Sequence, residues 1–429
     1  MENSLYQAYL EILREELVPA MGCTEPIAVA YAAAKARAAL GALPEVVTVA
    51  ASGNIVKNVK SVIVPHTGGL KGIAAAAAAG IIAGDEDKEL EVISAVSPAE
   101  VTQIAAYLQK TPITVEELQS RCVFDLKVTV HSGTHCASVR ISGFHTNIVD
   151  MEKDGVSLYH RAYAEGGTAG NGHEKLNVEQ IVAFADCVKL DDIRETIGRQ
   201  IAYNTAIAEE GLRRVWGAGI GRILLQSYGD SVQNRAKAMA AAGSDARMNG
   251  CELPVVINSG SGNQGLTVSM PVIVYAKELH ISEEKLYRAL CVSNLVAIHL
   301  KTGIGCLSAY CGATSAGAGA GAGVTYLYGG GYREVAHTVV NALAINSGMI
   351  CDGAKASCAA KIASAVEAGL LGMQMYQHGS QFRGGDGIVT KGVENTIRNV
   401  GLLAHEGMRQ TDQEIIHLML DTAAEETKA

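Results

Sequence analysis

The stretch GATSAGAGAGAG, residues 312–323, restricts the possible folds more than any other part of this chain. Small residues follow one another there with almost no side chain to bury. Each interior glycine costs a helix about 1 kcal/mol relative to alanine, so a helix forms here only where neighbouring elements press against its backbone. The rest of the composition agrees: 47 glycines, 5% aromatic, 48% hydrophobic and only 18% charged residues. Such a chain has apolar content enough to exclude disorder as its main state, and its core is built from small side chains that let helices approach closely. With 429 residues it can hold several domains, or one large enzyme fold with an insertion.

The formal net charge is −9, and no run of Lys or Arg interrupts the sequence. Nucleic acid and anionic membrane surfaces are therefore excluded as primary partners. The opening MENSLYQAYLEILREEL has acids where a signal peptide has a basic region, and lacks its apolar run. The longest apolar stretches, residues 73–83 and 316–324, fall short of the ~20 residues that span a bilayer. A soluble, cytoplasmic protein is expected, whose ten cysteines are reduced thiols or metal ligands and not disulfides.

Periodicity predicts a helix over residues 5–17 and a second beginning at Thr24-Glu25-Pro26, with Pro26 in the first turn and Cys23 just ahead of it. Residues 46–65 read as strand-like (VVTVAASG, then VKSVIVP) and 68–84 as an Ala-rich helix. Strand-like segments follow at 90–96, 124–130, 137–141 and 156–161, with a helix at 98–109. Beyond Lys175 the pattern is helical, at 191–211, 215–242, 282–300 and 410–425. The expected fold is α+β: a mainly α-helical catalytic core, residues 1–84 and 166–429, with a smaller inserted α+β domain, 85–165, that ends at the Gly-rich linker GGTAGNGH, 166–173.

Four cysteines crowd one window: Cys306 and Cys311 in GIGCLSAYCG, Cys351 and Cys358 in MICDGAKASC. The spacing suits a zinc ribbon poorly. Asp352-Gly353 is a turn signal; a helix starting after it leaves Cys351 on a loop that folds back beside Cys358, as shared ligation of one iron–sulfur cluster needs. Buried structural thiols are the alternative. INSGSGNQG, residues 257–265, has the spacing of a dinucleotide loop, but Pro271 interrupts the would-be helix behind it. A backbone cradle for a small carboxylate fits better, with Asn258, Ser259 and Ser261 as candidates. Arg383, in QFRGGDGIV, is a second candidate for gripping a carboxylate. His131, His135 and His145 cluster in HSGTHCASVRISGFHTN.

At PAMGCTEP, SAYCGATSAGAGAGAG and MICDGAKASCAAKIA the chain resembles, over essentially its whole length, the L-cysteine desulfidase family, a branch of the iron–sulfur L-serine dehydratase (alpha-domain) superfamily. The resemblance implies a 4Fe-4S cluster held by Cys311, Cys351 and Cys358 with one iron open to substrate, and a catalytic Cys23. Cys306 is the alternative first ligand, because GIGC resembles the serine dehydratase motif. The narrow spacing of Cys351 and Cys358 places the chain nearer the desulfidase branch. The implied reaction is β-elimination of L-cysteine to pyruvate, ammonia and sulfide without pyridoxal phosphate, the open iron acting as a Lewis acid. L-serine is the alternative substrate. A non-catalytic iron–sulfur sensor is the alternative of another class, and needs an output surface that the sequence does not display. The expected partner is a small amino acid, with assembly into a homo-oligomer left open.

Overall fold

The computed structural model describes residues 1–120, 122–162, 172–305 and 308–426. Most of the expected linker, and Cys306, lie outside the described residues. In chain order the helices are α1 (Asn3–Glu16), α2 (Thr24–Leu40), α3 (Gly53–Val59), α4 (Gly72–Ala83), α5 (Pro98–Lys110), α6 (Val178–Cys187), α7 (Leu190–Arg213), α8 (Ile220–Tyr228), α9 (Val232–Met248), α10 (Gly262–Glu278), α11 (Glu283–Ile304), α12 (Gly312–Leu327), α13 (Tyr332–Ile345), α14 (Cys358–Gln377), α15 (Val393–Leu402) and α16 (Arg409–Glu426). The strands are β1 (Pro19–Met21), β2 (Val46–Ala51), β3 (Ile113–Glu117), β4 (Asp125–Ser132), β5 (His135–Ser142), β6 (Ile148–Lys153), β7 (Val156–His160) and β8 (Pro254–Val256). This is the expected α+β fold with a mainly helical core. None of the described helices is long and apolar enough to cross a membrane.

The Gly/Ala tract is helical and lies at the centre. α12 is packed by α10, α11, α13 and α14, and all its residues from Ala313 to Leu327 are buried. A Cβ at Gly317 or Gly321 would collide with the carbonyl oxygens of Ala365 and Gly369 in α14, and one at Gly319 with that of Ser293 in α11. Missing side chains are thus replaced by neighbouring backbone, which recovers in dispersion contact what the glycines lose in helix propensity.

A six-stranded sheet of order β3-β2-β4-β5-β6-β7, antiparallel except for the β2–β3 pair, covers one side of α2. Alternation sets its inner face: Val47, Val49, Leu126, Val128, Val139 and Ile141 are all fully buried. Because β2 runs between β3 and β4, a boundary at residue 85 would divide a hydrogen-bonded sheet. The sheet takes one of its central strands from the segment expected in the helical core.

Three local expectations are corrected. The segment VKSVIVP does not form a strand: after Val59 it runs through a turn and irregular backbone, with one isolated bridge from Ile63 to Lys71. Just before it α3 occupies Gly53–Val59, and its Lys57 and Asn54 reach Asp412 of α16 at 2.5 and 2.8 Å. Residues 90–96 form the end of a 3-10 turn and a run of further turns in place of a strand. α10 continues through Pro271. A helix-interior proline forfeits one hydrogen bond, and here the flanking residues Leu266 to Val272 are buried against α9 and α12, which hold the helix together.

Candidate active site

Two short strands bring distant segments together. β1 and β8 pair antiparallel, Pro19 with Val256 and Met21 with Pro254, so the turns that follow them, 22–23 and 257–261, emerge side by side. The Thr24 hydroxyl donates to the Gly260 carbonyl at 2.8 Å. Cys23 is the N-cap of α2, Ser261 the N-cap of α10 and Cys311 the N-cap of α12, while Cys358 opens α14. These four helix starts surround one cavity of about 110 Å³, whose lining includes Cys23, Cys311, Cys351 and Cys358. Helix N-termini carry partial positive charge and unpaired N–H groups, so the cavity favours anionic occupants.

The loop between α13 and α14 does what the turn at Asp352-Gly353 predicts. Tyr310 and Ile350 form a bridge, Cys351 N–H donates to Ala309 O at 2.6 Å and Cys311 N–H to Met349 O at 3.0 Å. The Cys311 and Cys351 thiols are hydrogen-bonded to each other. Cys351, accepting from Cys311 and facing the charges of Lys57 and Lys301, is pushed down to about 6, while the shared hydrogen bond and burial raise Cys311. Burial also raises Cys358, whose Sγ lies 3.7 Å from Gly353 O. None of these cysteines is in a disulfide. Among the described residues no three His, Cys, Asp or Glu side chains meet as the ligands of a single metal ion would. A 4Fe-4S cluster takes each thiolate at a separate iron, so its ligands ring a space. Three soft sulfur donors around a cavity at helix N-termini fit that donor set.

Cys23 is 2% exposed. Its Sγ donates to Glu25 Oε2 at 3.1 Å, and Asn58 donates to Glu25 Oε1 at 3.2 Å. Burial, then the Glu25 charge, raise the thiol well above its ordinary value, against the opposing pull of Arg247. A helix start alone would lower it; desolvation and a hydrogen-bonded carboxylate outweigh that effect, and Cys23 is a protonated thiol.

Arg247, near the end of α9, is 2% exposed and lines the cavity. Its Nη1 donates to Asn263 Oδ1 at 3.1 Å, whereas Nε and Nη2 are buried without a partner. The guanidinium lies where a Cβ on Gly262 would be, which is why glycine opens α10. His145, from the turn between β5 and β6, is 8% exposed with Nε2 unpartnered. Burial lowers its pKa, so it is neutral.

Ser259 and Ser261 line the cavity as expected. Asn258 does not: it is fully buried and donates to Asn294 Oδ1 at 3.0 Å, while its own Oδ1 accepts from the Ser259 hydroxyl at 3.0 Å. It fixes the loop. Arg383 is a correction, since it is exposed and faces a second cavity, with α13 and residues 381–393. His131 and His135 sit exposed on the β4–β5 hairpin, with His135 against Asp154 at 2.8 Å. The residues that sequence reasoning missed are Arg247, Lys57, Gln264 and Lys361. Only Arg247 leaves a trace, as a lone cation following the Ala-rich run of α9.

The model of the serine dehydratase alpha chain family matches residues 87–417. The chain is 58% identical over 421 residues to a UPF0597 protein of Desulfitobacterium hafniense, covering 98% of each. It is 50% identical over 417 residues to one from Lachnoclostridium phytofermentans, covering 97% of this chain and all of the other. A Treponema denticola relative is 46% identical over 427 residues, 98% of this chain and 99% of its own. With three of the four helix starts at the cavity marked by a cysteine and the family model matching residues 87–417, the chain belongs to the serine dehydratase alpha chain family.

Proposed function

We propose that the protein is an iron–sulfur-dependent lyase that removes the β-substituent of a small L-amino acid, with L-cysteine as substrate and L-serine as the alternative. The observation that carries this reading is the gathering of Cys23, Cys311, Cys351, Cys358 and the half-unpaired Arg247 around one small cavity. Cys311, Cys351 and Cys358 would hold the cluster. When bound, a cluster with one iron free of protein ligands supplies Lewis-acid pull on the leaving sulfur or oxygen. Family membership supports the dehydratase-like chemistry; the preference for sulfur rests on the narrow Cys351/Cys358 spacing.

The chain's own groups do the rest. Arg247 offers two free guanidinium positions to the substrate carboxylate, and the helix start at Ser261 adds backbone N–H groups. The Cα proton passes to Cys23 Sγ as the thiol proton moves to Glu25 Oε2, and that proton is returned to the departing group. Breaking the Cβ–S bond sends its electron pair to sulfur, which leaves as sulfide; the aminoacrylate left behind tautomerises and takes up water, giving pyruvate and ammonia. Neutral His145 closes the cavity on the sheet side. The test is anaerobic reconstitution followed by kcat/KM for cysteine and serine. A ratio favouring serine by about tenfold, or 1.4 kcal/mol, would reassign the substrate; no pyruvate from either would end the lyase reading.

A further inference from the structure

A second cavity, of about 340 Å³, lies between α13, the loop 381–392 and the start of α15. Its lining has three charged side chains, Arg333, Arg383 and Lys391, all cationic and all exposed. Among the described residues none of the three has an ion-pair partner. That is unusual in a chain of net charge −9 with only 18% charged residues. The nearby carboxylates are occupied: Glu334 accepts from Gly331 N–H at 2.9 Å, Asp386 from Arg383 N–H at 2.6 Å, and Glu394 from Val178 N–H at 2.8 Å, with its other oxygen 2.7 Å from His299. Two helices also begin at the cavity, α13 at Tyr332 and α15 at Val393, and bring their positive ends to it.

The site is held in place from below. Asn341, fully buried in α13, donates to Gly372 O of α14 at 3.0 Å and accepts from Phe382 N–H at 3.0 Å, which fixes the loop carrying Arg383. Within the lining, Gln381 Oε1 is sheltered from solvent with no hydrogen-bond partner. An acceptor without a donor, beside three cations without an anion, describes the ligand by complement. The geometry points to a second ligand site, separate from the cysteine-lined one, for a small organic anion that carries two or more negative charges and at least one hydroxyl or N–H donor.

Calorimetric titration of the full-length protein with citrate and with AMP tests this, against sodium chloride at matched ionic strength. Saturable binding of either probe is expected, weakened about tenfold or more when the charge-assisted contacts are removed in the Arg383→Ala/Lys391→Ala double variant. Binding of citrate alone assigns carboxylate chemistry, and of AMP alone phosphate chemistry. Arg383→Gln, confined to one exposed position, gives the same readout should the double variant melt early. Absence of saturable binding by both probes, or binding undiminished in the variants, overturns the proposal. The readout is binding and not turnover, so it stands apart from the proposed reaction.

Discussion

A buried guanidinium with two unmatched nitrogens is destabilising by itself, since buried polar groups without partners cost about 1–3 kcal/mol each. In the proposed reaction the substrate carboxylate completes the Arg247 guanidinium. Arg247→Lys, which keeps the charge and loses the fork, is expected to lower kcat/KM about 10- to 150-fold, the equivalent of about 1.5–3 kcal/mol for hydrogen bonds to a charged group. The change should appear mainly in KM, with iron and sulfide content unaltered, whereas Arg383→Ala leaves both constants alone. At Cys23 the expectation concerns kcat: Cys23→Ala should keep the visible cluster absorption and lose about 10²–10⁴-fold in turnover, the range for a general acid–base group. Since burial and Glu25 hold this thiol well above its ordinary value, its ionisation does not limit the rate until pH passes 9 by a clear margin. Glu25→Gln removes one of the two raising influences and also the acceptor of the thiol proton, so turnover should fall and the alkaline limb of the activity that remains should move to lower pH. Cys23 was legible in the sequence as a thiol before a helix. Its protonation state was not, because burial of the thiol and the direction of Glu25, which Asn58 holds from α3, depend on the folded chain.

At the scale of elements, α12 is the member least able to move. Gly317→Ala and Gly321→Ala gain about 1 kcal/mol of helix propensity and lose more, because a Cβ would meet carbonyl oxygens of α14, which cannot rotate aside. Each substitution should be net destabilising by about 1–3 kcal/mol, read as a lower urea midpoint, while Gly348→Ala, in open space, should change little. The tract thus announced its own environment: nothing but close backbone contact could make it helical. The same kind of reading failed for VKSVIVP, whose β-branched residues argue for a strand. Only Ile63 pairs there, in a single bridge to Lys71, because the short helix ending at Val59 and the turn after it leave no run of extended backbone. It failed too for Arg383, where a Gly-rich loop gives no hint of which cavity it borders. The loop's anchor is Asn341, a residue whose partners only the folded chain supplies.

For the molecule as a whole, several buried thiols and phenols away from the cysteine-lined cavity are shifted in one direction. Burial holds Cys291 at about 12, and Tyr9 and Tyr31 also at about 12, above ordinary values of 9.0 and 10.0. The unfolded chain therefore releases these protons first as the pH rises. Protons bound in the native state then exceed those bound in the unfolded state, and stability falls between about pH 9 and 12. The thermal midpoint should drop from pH 7.5 to pH 10, and Cys291→Ala should lessen the slope. The cavity lined by Cys23, Lys57, His145, Arg247, Cys311, Cys351 and Cys358 has a consequence in time. Cys311 is 288 residues after Cys23 (311 − 23), so at about 5–20 residues per second a ribosome exposes Cys23 roughly 15–60 s earlier. For that interval the thiol lacks Ala354, and for most of it Met248, both of which pack in one apolar cluster with it in the folded chain. Oxidants therefore meet Cys23 most easily during synthesis, before the pocket that leaves it 2% exposed exists.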